Sequence, residues 1–362
     1  MSPKFLTGKS DHISYQIKYD KYSQALQQEL KSSISSREGL LYEMLSYHMG
    51  WKDQHGAPED NPSDAHLPAL LALATCEYIL EDFKPALPAA AALELMHSFT
   101  TVHGDVQNGG DESPDRPSIW WVWGPSQAIN AGDGLHALAR TAIMRLSEDN
   151  LQPDLTLQAI KVLDEACLSF CEGQYMELSF HDQLLVTETE YLSMIQKKSG
   201  ALPGCGGGLG TLSAGADQTF ITQFTIFGEK LGMASQLTKD IKELWGPQGD
   251  GMTPSNIIQK KKSLPLIYAF EHSNLSVKRE LGNIYMKRVL EPADTLKVIE
   301  LLNESAAKDY TEDLIKVLVS ESLSALRNIN ILGDDLRTFE SLIQIETNQT
   351  FTNDRTKGTG LI

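Results

Sequence analysis

The sequence predicts an all-α protein: a single bundle of about a dozen helices around a central pocket. Two observations carry that expectation. Apolar residues recur with helical period along most of the 362 residues, and no run of note alternates with period two. A third bounds it: 41% hydrophobic and 22% charged residues are the composition of an ordinary globular chain. The length suits one large domain or two ordinary ones. The expected organisation is one domain: N-terminal helices and an exposed loop over 1–66, a helical core over 67–345, and a polar tail over 346–362.

Each element has its own signal. Residues 67–83 and 86–103 mix small and large apolar residues at helical spacing, with Pro85 and Pro88 at the join. Further helices are expected over 124–146, 155–180, 188–198, 219–245, 264–274, 276–290, 293–309 and 311–329. Loops are expected over 52–64 and 246–256, which are polar and rich in Gly, Pro and Asp. The stretch 203–216, PGCGGGLGTLSAGA, reads two ways. It is a loop by composition, or a helix whose small residues let another backbone come close.

Charge and cysteine content narrow the function classes. A formal charge of −17 disfavours nucleic acid and anionic membrane surfaces as main partners. A diphosphate is still admissible, because a few placed cations decide a local site. Cys76, Cys167, Cys171 and Cys205 have no metal-like pairing, and nothing suggests a disulfide framework. The N-terminus lacks an apolar core of the secretory kind, and no run reaches the roughly 18 apolar residues of a spanning helix. A cytoplasmic protein without stable membrane insertion is the expectation.

Five segments, in order and at proper spacing, carry a resemblance. They are ELMHSFTTVHGDVQNGGDESPDRPSIWWVWGPSQAINAGDGL (94–135), CEGQYMEL (171–178), EYLSMIQKKSGAL (190–202), FGEKLGMASQLTKDIKELWG (227–246) and NIIQKKKSLPLIYAFE (256–271). Together they resemble the isoprenyl diphosphate synthase (polyprenyl synthetase) family. The resemblance implies the isoprenoid-synthase fold, an allylic prenyl diphosphate as substrate, Mg²⁺ as cofactor and a dimeric state. In that family two aspartate-rich motifs hold the ions that neutralise the departing diphosphate.

The frame is kept while much of the ion-binding chemistry is replaced. The first DDxxD falls on Gly104, Asp105, Val106, Gln107 and Asn108, so Asp105 alone of three aspartates survives. Asn108 offers a neutral oxygen, and Asp111 and Glu112 follow close by. The second falls on Lys239, Asp240, Ile241, Lys242 and Glu243. Asp240 and Glu243, three apart, could hold one ion on a helix face. Lys239 cannot ligate Mg²⁺. It reads either as a fixed cation replacing an ion or as a surface lysine on a disused face. The expected metal set is therefore Asp105, Asn108, Asp240 and Glu243, with a reduced number of Mg²⁺ ions, down to none. Asp105, Asp240 and Lys239 are the expected catalytic residues.

The second substrate's site is more thoroughly altered. The family's basic cluster for isopentenyl diphosphate maps onto Ser63, Asp64, Ala65, His66, Leu67 and Pro68, and its arginine pair onto Ser113 and Pro114. Each lost charge-assisted phosphate contact removes about 1.5–3 kcal/mol. Cations matching the allylic side remain at Lys198 and Lys261, with Arg116 beside the lost pair. The resemblance places Phe99, Thr100, Gln174 and Gln236 along the pocket. Ordinary core packing explains these residues equally well. Three functions stay open: an enzyme ionising one allylic prenyl diphosphate, a silent subunit paired with a related synthase, or a prenyltransferase using a neutral acceptor. A homodimer, or a heterodimer with a related synthase, is expected.

Overall fold

The computed structural model describes residues 9–109, 116–148, 152–246 and 255–349. In chain order the α-helices are α1 (Lys9–Ile34), α2 (Leu40–His48), α3 (Leu67–Leu80), α4 (Leu87–Asn108), α5 (Ile119–Trp123), α6 (Pro125–Met144), α7 (Pro153–Phe180), α8 (Glu188–Ile195) and α9 (Ala201–Ser213). They continue with α10 (Gln218–Trp245), α11 (Ser255–Ile258), α12 (Leu264–His272), α13 (Leu275–Tyr285), α14 (Pro292–Glu304), α15 (Ala307–Arg327) and α16 (Asp334–Thr347). A single turn of π-helix, Gln196–Gly200, joins α8 to α9. Among the described residues there is no strand, only an isolated bridge between Lys52 and Pro58. The all-α expectation is met. No helix among the described residues is long and apolar enough to cross a membrane.

The chain divides into two compact units, Met1–Glu165 with Cys205–Thr225, and Ala166–Gly204 with Ile226–Ile362. In the first unit α4 is the central helix. Every residue from Ala89 to Met96 is buried, which matches a segment apolar on all sides. Pro88 opens the helix, and Gly109, at φ +61°, closes it in the left-handed conformation a C-terminal glycine adopts without strain. α4 packs on α3, α6 and α1. Its contact with α6 depends on Gly132: a Cβ there would lie 2.2 Å from the His103 ring, whose Nε2 lies 3.2 Å from the carbonyl oxygen of Ile129.

The glycine-rich stretch is a helix. In α9 a Cβ on Gly206 would lie 2.2 Å from the Pro68 carbonyl oxygen, and one on Gly210 would lie 2.3 Å from that of Ala72. The small residues let α9 rest directly on the backbone of α3, which is the second of the two readings.

The second unit builds its core from α12, α13, α14 and the start of α15, where Leu266, Leu281, Val298 and Leu302 are buried together. Sequence reading did not expect α16. Its Leu336, Phe339, Leu342 and Ile343 are buried at helical spacing, with Phe339 edge-on to Phe227 of α10 at 5.5 Å. The short helices α5 and α11 were not expected either. Residues 52–64 are largely exposed, as expected of a loop. Asp111, Glu112, Ser113 and Pro114, and the C-terminal tail from residue 350, lie outside the described residues.

Candidate active site

Asp240 is the hub of the second unit's polar network. It sits on α10 with 4% exposure. Its Oδ2 accepts from the Tyr191 hydroxyl of α8 and from the Leu264 backbone N–H at the start of α12 (3.4 Å). Its Oδ1 accepts from Gln236 Nε2, one turn back, at 3.0 Å. Gln236 in turn accepts from the Ser199 hydroxyl of the π turn at 3.1 Å. One carboxylate thereby ties α8, the π turn, α10 and α12 together. Burial raises the Asp240 pKa to about 6, against the pull of its three hydrogen bonds, and the nearby Glu177 charge adds to the rise. Burial and the Asp240 carboxylate together push the Tyr191 phenol well up.

The lysines are arranged around that hub. Lys198 lies in the π turn, a distortion that recurs at functional sites. The turn is pressed on α7, where a Cβ at Gly173 would lie 2.5 Å from the Lys198 backbone nitrogen. Lys198 Nζ pairs with the Glu177 carboxylate, both about one-fifth to one-quarter exposed. Lys239 is exposed and meets no carboxylate among the described residues. In the loop before α12, Lys260 adopts φ +55° and donates through Nζ to the Lys287 carbonyl. Lys262 stands over the Tyr285 ring at 5.5 Å, and burial lowers its pKa. Both are thus turned toward α13 and its end. Lys261 between them is held by its backbone N–H on the Asn256 carbonyl (2.9 Å), and no ion pair engages its ammonium among the described residues.

Other expected residues occupy quieter positions. Gln174 is buried on α7. Glu243 accepts from the Asn256 backbone N–H at 3.2 Å, fixing the start of α11. In the first unit Asp105 is half-buried and Asn108 exposed in the last turn of α4. Thr100 donates to the His97 carbonyl (2.7 Å) within its own helix. Phe99 packs edge-on against His103 (4.8 Å) and tilted against His136 of α6 (5.2 Å). Arg116 is spent on a local staple: Glu59 at 2.6 Å, the Tyr47 and Lys52 carbonyls at 2.6 Å each, and the Tyr47 ring beneath it. Sequence reading missed Tyr191 and Ser199 as site residues. Both stand inside the EYLSMIQKKSGAL segment, and only their distant partners reveal what they do.

An all-helical chain with an ordered set of lysines around a buried carboxylate hub falls in the isoprenoid-synthase class of helical proteins. Residues 66–302 match the Polyprenyl synthetase family model. The chain is 34% identical over 258 residues to a geranylgeranyl diphosphate synthase of Mycobacterium tuberculosis, covering 71% of this chain and 72% of that protein. It is 32% identical over 227 residues to a short chain isoprenyl diphosphate synthase of Methanocaldococcus jannaschii, covering 62% and 68%. A polyprenyl synthetase from Streptomyces coelicolor superposes with a TM-score of 0.83 at 25% identity, covering 90% of this chain and 98% of that one. The chain belongs to the polyprenyl synthetase family, and its place is in isoprenoid biosynthesis.

That family is in general Mg²⁺-dependent. The second motif's residues do not fit such an ion. Its leading position carries the Lys239 ammonium, Asp240 is buried with both oxygens engaged by protein donors, and Glu243 accepts a backbone N–H. The first motif offers Asp105 and the Asn108 amide.

Proposed function

We propose that this protein binds one allylic prenyl diphosphate and ionises it to a cyclised or eliminated product, without elongation by isopentenyl diphosphate. The observation that carries the reading is Lys239. An exposed ammonium, met by no carboxylate among the described residues, stands at the head of the second motif, and its neighbour Asp240 anchors the loop bearing Lys261. Through Gln236 and Ser199 the same carboxylate steadies the turn bearing Lys198. Breaking the allylic C–O bond leaves its electron pair on the diphosphate, and fixed ammonium groups stabilise that growing charge. Lysines in this reading take over work that ions do elsewhere, and the number of Mg²⁺ ions is correspondingly reduced, with Asp105 and Asn108 the remaining ligands.

The second diphosphate has lost its cations. His66, in the position of the basic cluster, is engaged with Glu94. Arg116 is engaged with Glu59. The relatives named as geranylgeranyl and farnesyl diphosphate synthases support prenyl diphosphates as the substrate class. The protein acts as a dimer, with itself or with a related synthase.

The test is incubation with geranyl, farnesyl and geranylgeranyl diphosphates, with and without Mg²⁺, measuring pyrophosphate and hydrocarbon. Pyrophosphate is expected without any isopentenyl diphosphate. Lys239→Ala should lower kcat/KM by about ten- to a hundredfold, the worth of one charge-assisted phosphate contact. Lys239→Asp should increase the dependence on Mg²⁺. Incorporation of labelled isopentenyl diphosphate at family-like rates would sink the reading. So would silence of the protein alone combined with stimulation of a partner synthase, which marks a non-catalytic subunit.

A further inference from the structure

His66 and Glu94 form a carboxylate–imidazole pair inside the first unit. Glu94 is on α4 and is 3% exposed. Its Oε1 meets His66 Nδ1 at 2.5 Å, and its Oε2 accepts the His66 backbone N–H at 3.1 Å. Two oxygens on the same residue fix both the chain and the ring. Burial alone would raise the Glu94 pKa, but the hydrogen bonds and charge of His66 outweigh it and hold the acid below its usual range. The carboxylate is therefore ionised and must accept, so Nδ1 carries the proton and Nε2 of the neutral ring carries the lone pair. The ring stacks on His97 at 3.8 Å between centroids and 22° between planes. Its side chain remains 40% exposed.

The surrounding charges favour the same assignment. His48 of α2 is buried, and burial followed by the proximity of His66 lowers its pKa to about 4, so it is neutral near pH 7. Glu94 and His97 face His66 from α4, and His48 acts on it from α2. None of these is a permanent cation. A site with an ionised carboxylate at its centre repels a diphosphate. It matches a ligand that brings a hydrogen-bonding proton and no negative charge.

We propose that His66 and Glu94 form a proton-accepting subsite for a neutral protic co-substrate, bearing a hydroxyl or an amine N–H. The inference rests on the single-diphosphate reading above and supplies the acceptor that reading lacks. The step balances as follows for a hydroxyl. The allylic C–O bond breaks with its electron pair leaving on the diphosphate. The acceptor oxygen forms the new bond to the allylic carbon. The acceptor O–H bond breaks, and its proton passes to His66 Nε2 and from there to solvent. Glu94 positions the ring and stabilises the imidazolium that forms.

Two measurements test it. The first needs no turnover: ¹⁵N-edited NMR of the histidine rings in the full-length protein. The expected spectrum has His66 protonated at Nδ1 and bare at Nε2 near neutral pH, and Glu94→Gln moves its titration to lower pH, since a carboxylate favours the imidazolium. A ring protonated at Nε2 alone, or an unmoved titration in Glu94→Gln, overturns the proposal. The second uses farnesyl diphosphate with phenol and glycerol as acceptor probes, scoring prenyl ether formed per pyrophosphate released. His66→Gln is expected to lower that ratio at least about tenfold, the lower range of general-base effects. An unchanged ratio in His66→Gln and Glu94→Gln overturns the subsite. No pyrophosphate from the wild type counts against the single-diphosphate reading instead, and the NMR result then decides the subsite alone. Circular dichroism of each variant separates loss of the subsite from loss of fold.

Discussion

Lys239 and Asp240 are neighbours in sequence with opposite fates. Successive residues of a helix are rotated by about 100°, so one can face solvent while the next is buried. Asp240 went inward and became a structural hub with a raised pKa. That shift has a sign in stability. The folded pKa is about 6 against a model value of 3.8, so between those values the folded state holds a proton that the unfolded chain has released. Protonated Asp240 favours folding at the acid end, and that contribution disappears as the pH rises through 6. The full swing is about 3 kcal/mol, from roughly two pKa units. Asp240→Asn keeps an acceptor and removes the titration. The melting temperature of the wild type minus that of the variant should therefore fall between pH 4 and pH 7. A difference that stays constant would show that Asp240 is not buried as described. The comparison with the variant also cancels His48, whose lowered pKa makes its own contribution rise over nearly the same range.

At the scale of elements, α9 and the π turn show why small residues occur where they do. Gly210 lies against the Ala72 backbone, which cannot step aside, whereas Gly208 meets only the Thr225 hydroxyl, at 2.8 Å from an added Cβ. Gly210→Ala should destabilise by about 1–3 kcal/mol or more through overpacking. Gly208→Ala should stay within about 1 kcal/mol, because side-chain movement is set against a gain in helix propensity of similar size. Urea midpoints of the two variants decide it. Equal losses would mean that α9 does not lie on α3. Helix existence and approximate limits were legible here from period and proline placement. The helical state of the glycine-rich stretch was not, because its reason is the backbone of α3 more than 120 residues away in sequence. α16 was legible in principle, since Leu336, Phe339, Leu342 and Ile343 fall on one helical face.

For the whole molecule, the charge of −17 and the lysine cluster predict opposite responses to salt. Self-repulsion of an acidic chain weakens as ions screen it, so the melting temperature should rise between about 10 and 150 mM salt. Pyrophosphate held by exposed ammonium groups should bind more weakly over the same range. Calorimetry and competition binding measure both. A binding constant indifferent to salt would remove Lys239 and Lys261 from the site.

Family membership, the all-helical class and the order of the five segments were fixed by residues that recur at set spacing, since a helix writes its period into the chain locally. The sequence also located the lost cations at 63–68 and at 113–114. It could not decide which way Asp240 and Lys239 face, that Tyr191 and Ser199 belong to the same network, or that His66 meets Glu94. Those facts depend on partners 28 to 49 positions apart. Packing sets such distances, and no local pattern encodes them.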